Sequence, residues 1–147
     1  MPAPHTGAAA SLGPTAESCL AAARATLYRW AAVVSAGDLE ELLALYASDA
    51  ILVPSISDRI HGLEADRRLY FEGFFERQNL HCRIESFKKR ASNQLGTVVV
   101  GGIYVFTFDT EEGAQETVPA RFIFTFEHIE DRWLITGHHS SRLTEAA

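Results

Sequence analysis

Apolar residues recur at three- and four-residue steps in the first half of the chain and at nearly every other residue in the second. This pattern predicts helices followed by strands, an α+β arrangement. Over residues 15–36, Leu20, Ala23, Leu27, Trp30, Ala31 and Val34 form one stripe, the core face of a first helix. Gly37 can take the left-handed conformation that ends a helix, and Asp38 with Glu41 three residues on makes a capping-box start for a second. That second helix turns Leu39, Leu42, Leu43 and Tyr46 inward and ends near Ser48 and Asp49. Residues 50–53 then read as a short buried strand stopped by Pro54, with a loop over 55–59. A third helix opens at Gly62 and reaches about Gln78. It carries Leu63, Tyr70, Phe71, Phe74 and Phe75 on an aromatic face, which reads as core or as the wall of a ligand pocket, and Glu64, Asp66, Arg67, Arg68, Glu76 and Arg77 mostly outside.

From His81 the period changes to two. Residues 81–91, 97–109, 116–129 and 132–142 read as four strands, with turns at Ser92 and Asn93, Glu112 and Gly113, and Glu130 and Asp131, so an antiparallel meander is expected. Around Ile103 to Phe108 and Phe122 to Phe126 both alternating sets are largely apolar, whereas a sheet with one wet face should alternate. Helices can cover one face. A second copy of the chain is the expected cover for the other, which predicts a homodimer through the sheet.

Composition narrows the function. A chain of 147 residues with 47% hydrophobic and 22% charged content is expected to form one domain over 15–147, following a disordered tail over 1–14 rich in Ala, Pro and Gly. A formal charge of -6 provides no general attraction for nucleic acid or an anionic membrane. The short basic run Lys88, Lys89 and Arg90 reads as a solvated strand end. Cys19 and Cys82 are too few for a disulfide framework and have no zinc-ligand spacing, which fits a reducing cytoplasm. No secretory leader or membrane-spanning apolar run is evident.

The corner Ala36-Gly37-Asp38-Leu39-Glu40, followed by Leu45-Tyr46-Ala47-Ser48-Asp49-Ala50, resembles that of the nuclear transport factor 2-like superfamily, also called SnoaL-like or cystatin-like. Asp66-Arg67-Arg68-Leu69-Tyr70-Phe71-Glu72 and the terminal Trp133-Leu134-Ile135 with His138-His139-Ser140-Ser141 are similar to the association (hub) domain of calcium/calmodulin-dependent protein kinase II and its small bacterial relatives. The resemblance implies a cone: three N-terminal helices on a strongly curved, mainly antiparallel sheet. Assembly into dimers, or rings of dimers, is implied with it. No basic amphipathic helix suggests calmodulin binding.

This fold hosts enzymes and binding modules alike, so the residues must decide. Ketosteroid isomerases of this fold use a carboxylate base and a tyrosine donor at positions that fall here on Pro54 and Trp30; proline cannot move a proton, and an indole can donate a hydrogen bond but never accept one. Asp49, His61, Glu72, His138 and His139 remain as candidate acids or bases, His61, His138 and His139 being the catalytic candidates. Successive strand residues face opposite sides, so His138 and His139 cannot grip one ion, and neither a metal nor another cofactor is expected. One of the pair must face the cavity. The hub's inward arginines, which favour an anionic ligand, fall here on Tyr104, Phe124 and Ser140. Arg121 and Arg142 lie nearby as substitutes, Arg121 lining either the pocket or the dimer face. The expected ligand site therefore comprises Trp30, Tyr46, Tyr70, Phe74, Tyr104, Arg121, Phe124 and Ser140, holding a small, partly apolar molecule, with a carboxylate as one option for its polar end. A cofactor-independent isomerase, dehydratase or cyclase using the same cavity, and a pure oligomerisation module, are the alternatives.

Overall fold

The computed structural model describes residues 15–54, 59–92 and 94–143; the tail expected over 1–14, most of the loop over 55–59 and the turn residue Asn93 lie outside these. Helix α1, Ala16–Ala36, begins with a capping box in which Thr15 and Ser18 exchange side-chain and backbone hydrogen bonds. It ends at Gly37, whose φ of 70° lets the Gly37 and Asp38 N–H groups return to the Val34 and Val33 carbonyls. Asp38 then caps α2, Leu39–Ala44, by accepting from the Glu41 amide.

Helix α2 is shorter than its sequence pattern predicts, and strand β1, Tyr46–Val53, starts four residues earlier. The reason is tertiary: the Leu45 carbonyl accepts from the Ile135 amide at 2.8 Å and Ala44 accepts from Arg132 at 3.1 Å, so the backbone is drawn into the sheet before another helical turn can form. Helix α3, Glu64–Phe74, is likewise narrower than predicted. The remaining strands are β2 (Gln78–Ser92), β3 (Thr97–Asp109), β4 (Gln115–Ile129) and β5 (Arg132–Arg142). They form a five-stranded sheet in the order β1-β5-β4-β3-β2, antiparallel throughout except for the parallel pairing of β1 with β5. Glu130 and Asp131, both at positive φ, make the two-residue turn between β4 and β5.

Bulges bend this sheet. One lies in β2 between Ile84 and Ser86, opposite Tyr104 and Ile103; beside it Gly102 pairs with Phe87, and a Cβ there would run into the Ser86 carbonyl and Phe87, so no side chain fits. Another lies in β5. Ile135 pairs with Phe126 and Gly137 with Thr125, so Thr136 is an extra residue, and Ile135 and His138 both face inward although simple alternation separates them. On the inner face Val98, Val100, Tyr104, Phe122, Phe124, Phe126 and Ile135 meet Leu27, Trp30, Val34 and Leu42 in one core.

Strand β1 carries the largest irregularity. Five steps along it, from Tyr46 to Ile51, match two along β5, from Ile135 to Gly137, so the intervening carbonyls are turned away from the ladder. Buried carbonyls need donors. Arg67 supplies them: its guanidinium donates to the carbonyls of Ala50 at 2.8 Å, Ala47 at 3.0 Å and Ser48 at 3.1 Å. This corrects the expected outer face of α3. Arg67 is 1% exposed, whereas Leu63, expected inside, is 66% exposed because it sits in extended backbone at the N-cap, out of phase with the helix.

Candidate functional site

Between α3 and the open end of the sheet lies an apolar cavity of about 100 Å³. Its wall includes Leu52, Pro54, Phe71, Leu80, Phe106, Phe108, Val118 and Ala120, together with Trp30, Tyr70, Phe74, Tyr104, His138 and Ser140 from among the residues singled out in the sequence. Helix α1 places Trp30 there, α3 places Tyr70 and Phe74 one turn apart, and the inward set of β3 and β5 places Tyr104, His138 and Ser140. For scale, a dry cavity of about 150 Å³ accommodates benzene, so this space suits one small ring or a short branched chain.

Along and behind this wall Trp30, Tyr46, His138 and Tyr104 form a single buried polar chain. Trp30 Nε1 donates to the Tyr46 hydroxyl at 3.0 Å, Tyr46 meets His138 Nδ1 at 2.8 Å, and His138 Nε2 meets the Tyr104 hydroxyl at 3.2 Å. The Ser140 side chain adjoins the Tyr104 hydroxyl. Phe124 lies under the imidazole, ring centroids 4.0 Å apart, and Trp30 meets it edge to face. Burial penalises the charged form of His138, with a smaller push in the same direction from His139, and depresses its pKa to about 3. The same desolvation raises both tyrosines far above their ordinary range. Around neutral pH all three groups are therefore uncharged. Tyr46 and Phe124, expected as pocket wall, stand one layer behind it, engaged with His138.

Strand position separates the two histidines. His139 is exposed on the other face, where its Nδ1 donates to the Val53 carbonyl at 3.1 Å. His61 is buried against Tyr70 and pairs through its backbone with Leu52, outside the cavity wall. Asp49, Glu72 and Arg121 are exposed, Arg121 on the outer face of β4. Among the described residues no three His, Cys, Asp or Glu side chains converge as a metal site would require. Both cysteines are free and buried, and desolvation pushes the Cys82 thiol up to about 12.

The cations at the cavity are Arg77 and Arg142. Arg142 is 3.5 Å from Glu116. Arg77 follows Phe74 by three residues, and its guanidinium lies 5.2 Å from the Phe74 ring centroid and 5.3 Å from that of Phe108. Such a cation–π contact uses no hydrogen-bond acceptor and leaves N–H donors on the edge of the guanidinium for other partners. Among the described residues that edge makes one hydrogen bond, a long one of 3.4 Å to the Phe74 carbonyl. Sequence reasoning placed Arg77 outside; its spacing from Phe74 was the available signal, but the second ring, Phe108, comes from a distant strand.

Residues 23–144 match the family described as calcium/calmodulin dependent protein kinase II association domain. A Xanthomonas campestris protein provisionally assigned to that same domain is 29% identical, with 84% of this chain and 87% of that chain covered and a TM-score of 0.77. A nuclear transport factor 2-like protein with a cystatin-like fold from Novosphingobium aromaticivorans is 13% identical over 86% of this chain and 82% of that one, at a TM-score of 0.71. A Streptomyces avermitilis protein of the same fold, provisionally called a dehydratase, is 10% identical over 89% of this chain and all of that one (100%), at 0.79. No curated protein matches. The cone is thus the nuclear transport factor 2-like fold. No described helix is long and apolar enough to cross a membrane.

Proposed function

Because the chain belongs to the calcium/calmodulin-dependent protein kinase II association domain family, we propose that it is a self-associating domain that binds a small, partly apolar carboxylic acid in its cone. The observation that carries this reading is Arg77, in cation–π contact with two rings beside an aromatic cavity and with donors to spare. A carboxylate matches that fork in both geometry and charge. Glu76, Asp109, Glu111 and Glu116 line an adjoining groove that Arg77 shares, and their charges oppose the entry of polyanions, favouring a single carboxylate. Chemistry on the ligand finds less support. The described lining contains no carboxylate, and its one imidazole has both nitrogens engaged, so no general base stands ready for an isomerase or dehydratase.

Self-association is supported by the outer sheet face. Ile123 is 46% exposed there, among the part-buried Val99, Ile103 and Pro119. A second copy laid on this face would remove an apolar strip from water, as the family's description as an association domain suggests. Two free, buried thiols support a cytoplasmic setting.

A thermal-shift screen of aromatic and branched monocarboxylates tests the binding reading. An acid at about one hundred times its Kd should stabilise the fold by about 2.7 kcal/mol, or about 5–10 °C for a chain of this size. Arg77→Met should abolish the shift. If no acid raises the melting temperature of the wild type, the binding reading fails.

A further inference from the structure

The buried polar chain has a direction. Trp30 Nε1 can only donate, so the Tyr46 oxygen accepts from it. Tyr46 has one hydrogen, and its remaining partner among the described residues is His138 Nδ1, so the phenol donates to that nitrogen. A neutral imidazole that accepts at Nδ1 carries its proton on Nε2, which therefore donates to the Tyr104 oxygen. Tyr104 is left with its own O–H to place. It can pass that hydrogen directly into the cavity or to the neighbouring Ser140 hydroxyl, which also lines the cavity and then presents a hydrogen of its own. Both arrangements end in an O–H donor facing apolar space.

An O–H with no acceptor in an apolar cavity is costly, and a ligand that supplies the acceptor recovers that cost. A carboxylate is a poor occupant for this end, since His138 beneath it is neutral and the cations stand at Arg77 and Arg142. From the direction of this chain we propose that the deep end of the cavity receives a carbonyl oxygen, with Tyr104 and Ser140 as its specificity-determining donors. Resting on the binding reading above, this makes the ligand class a small oxo acid: ketone or aldehyde oxygen inward, carboxylate towards Arg77.

The direction can be read without any ligand. Long-range proton–nitrogen correlation spectra of the wild-type protein near neutral pH should show His138 protonated at Nε2 and bare at Nδ1; the opposite tautomer would overturn the proposal. The ligand class is tested with matched acids, levulinate against isocaproate, in which a methyl group replaces the carbonyl oxygen, and the same pair lengthened by one and by two methylenes. Calorimetric titration of the wild type should show at least one keto acid binding about tenfold or more tighter than its methyl counterpart, as expected for a site built to hydrogen-bond its ligand. Tyr104→Phe combined with Ser140→Ala should erase or invert that preference while the methyl acid still binds. If the methyl acids bind as well as or better than the keto acids to the wild type, the carbonyl assignment is wrong and the cavity reading survives. If neither series binds, the cavity reading falls and the assignment with it.

Discussion

Acidification should weaken this protein through His138. With a native pKa of about 3 against 6.5 for the free side chain, His138 stays neutral in the fold while the unfolded chain takes up a proton. Between those values the unfolded state binds more protons, so stability rises with pH and falls as pH is lowered. The contribution is complete above the unfolded pKa and drains away towards the native one. At about pH 5, one and a half units below the unfolded value, the loss comes to about 2 kcal/mol, and it hardly depends on where below about 4 the native pKa lies. Urea unfolding followed by tryptophan fluorescence suits the measurement because Trp30 lies against the imidazole. With a urea slope of about 2 kcal/mol/M, the midpoint should move down by about 1 M between about pH 7.5 and pH 5. His138→Gln keeps an acceptor for Tyr46 and a donor for Tyr104 but cannot be protonated, so its midpoint should change much less. Equal shifts in the two proteins would mean that His138 is protonated inside the fold, and the neutral buried chain would be wrong.

Arg67→Met should destabilise the fold by about 3–5 kcal/mol, because three carbonyls lose a charged donor in a site closed to water. Arg67→Lys should recover only part of this, since an ammonium lacks the planar fork, and chemical denaturation of both variants would show it. Ile123→Glu on the outer sheet face should convert a wild-type dimer into a monomer in sedimentation at micromolar concentration with the fold unchanged by circular dichroism; a wild type that sediments as a monomer would refute self-association through that face.

Much of the fold was legible along the chain because it depends on local periods and caps. The stripe of α1, the Gly37 and Asp38 corner and the strands β2 to β5 follow from spacing, turn chemistry and capping, each encoded within a few residues. The aromatic wall of Trp30, Tyr70, Phe74 and Tyr104 was legible for the same reason, since inward parity on a helix or strand follows from neighbours in sequence. The arginines were not. Arg67 looks like an outer residue of an amphipathic helix until the bulge in β1 leaves carbonyls in need of a donor. Arg77 looks equally solvated until Phe108 arrives from β3 as a second ring against its guanidinium.

The terminal histidine pair marks the boundary most clearly. By itself the sequence determined that His138 and His139 lie on opposite faces, because neighbouring residues of an extended strand must diverge. Which one faces the cone was decided only by the tertiary structure, through the extra residue at Thr136 that brings Ile135 and His138 to the same side. The neutrality of His138 was decided there too. It comes from Trp30, Tyr46, Tyr104 and Phe124, supplied by four other elements that close around the imidazole and exclude the water that would otherwise favour its charge.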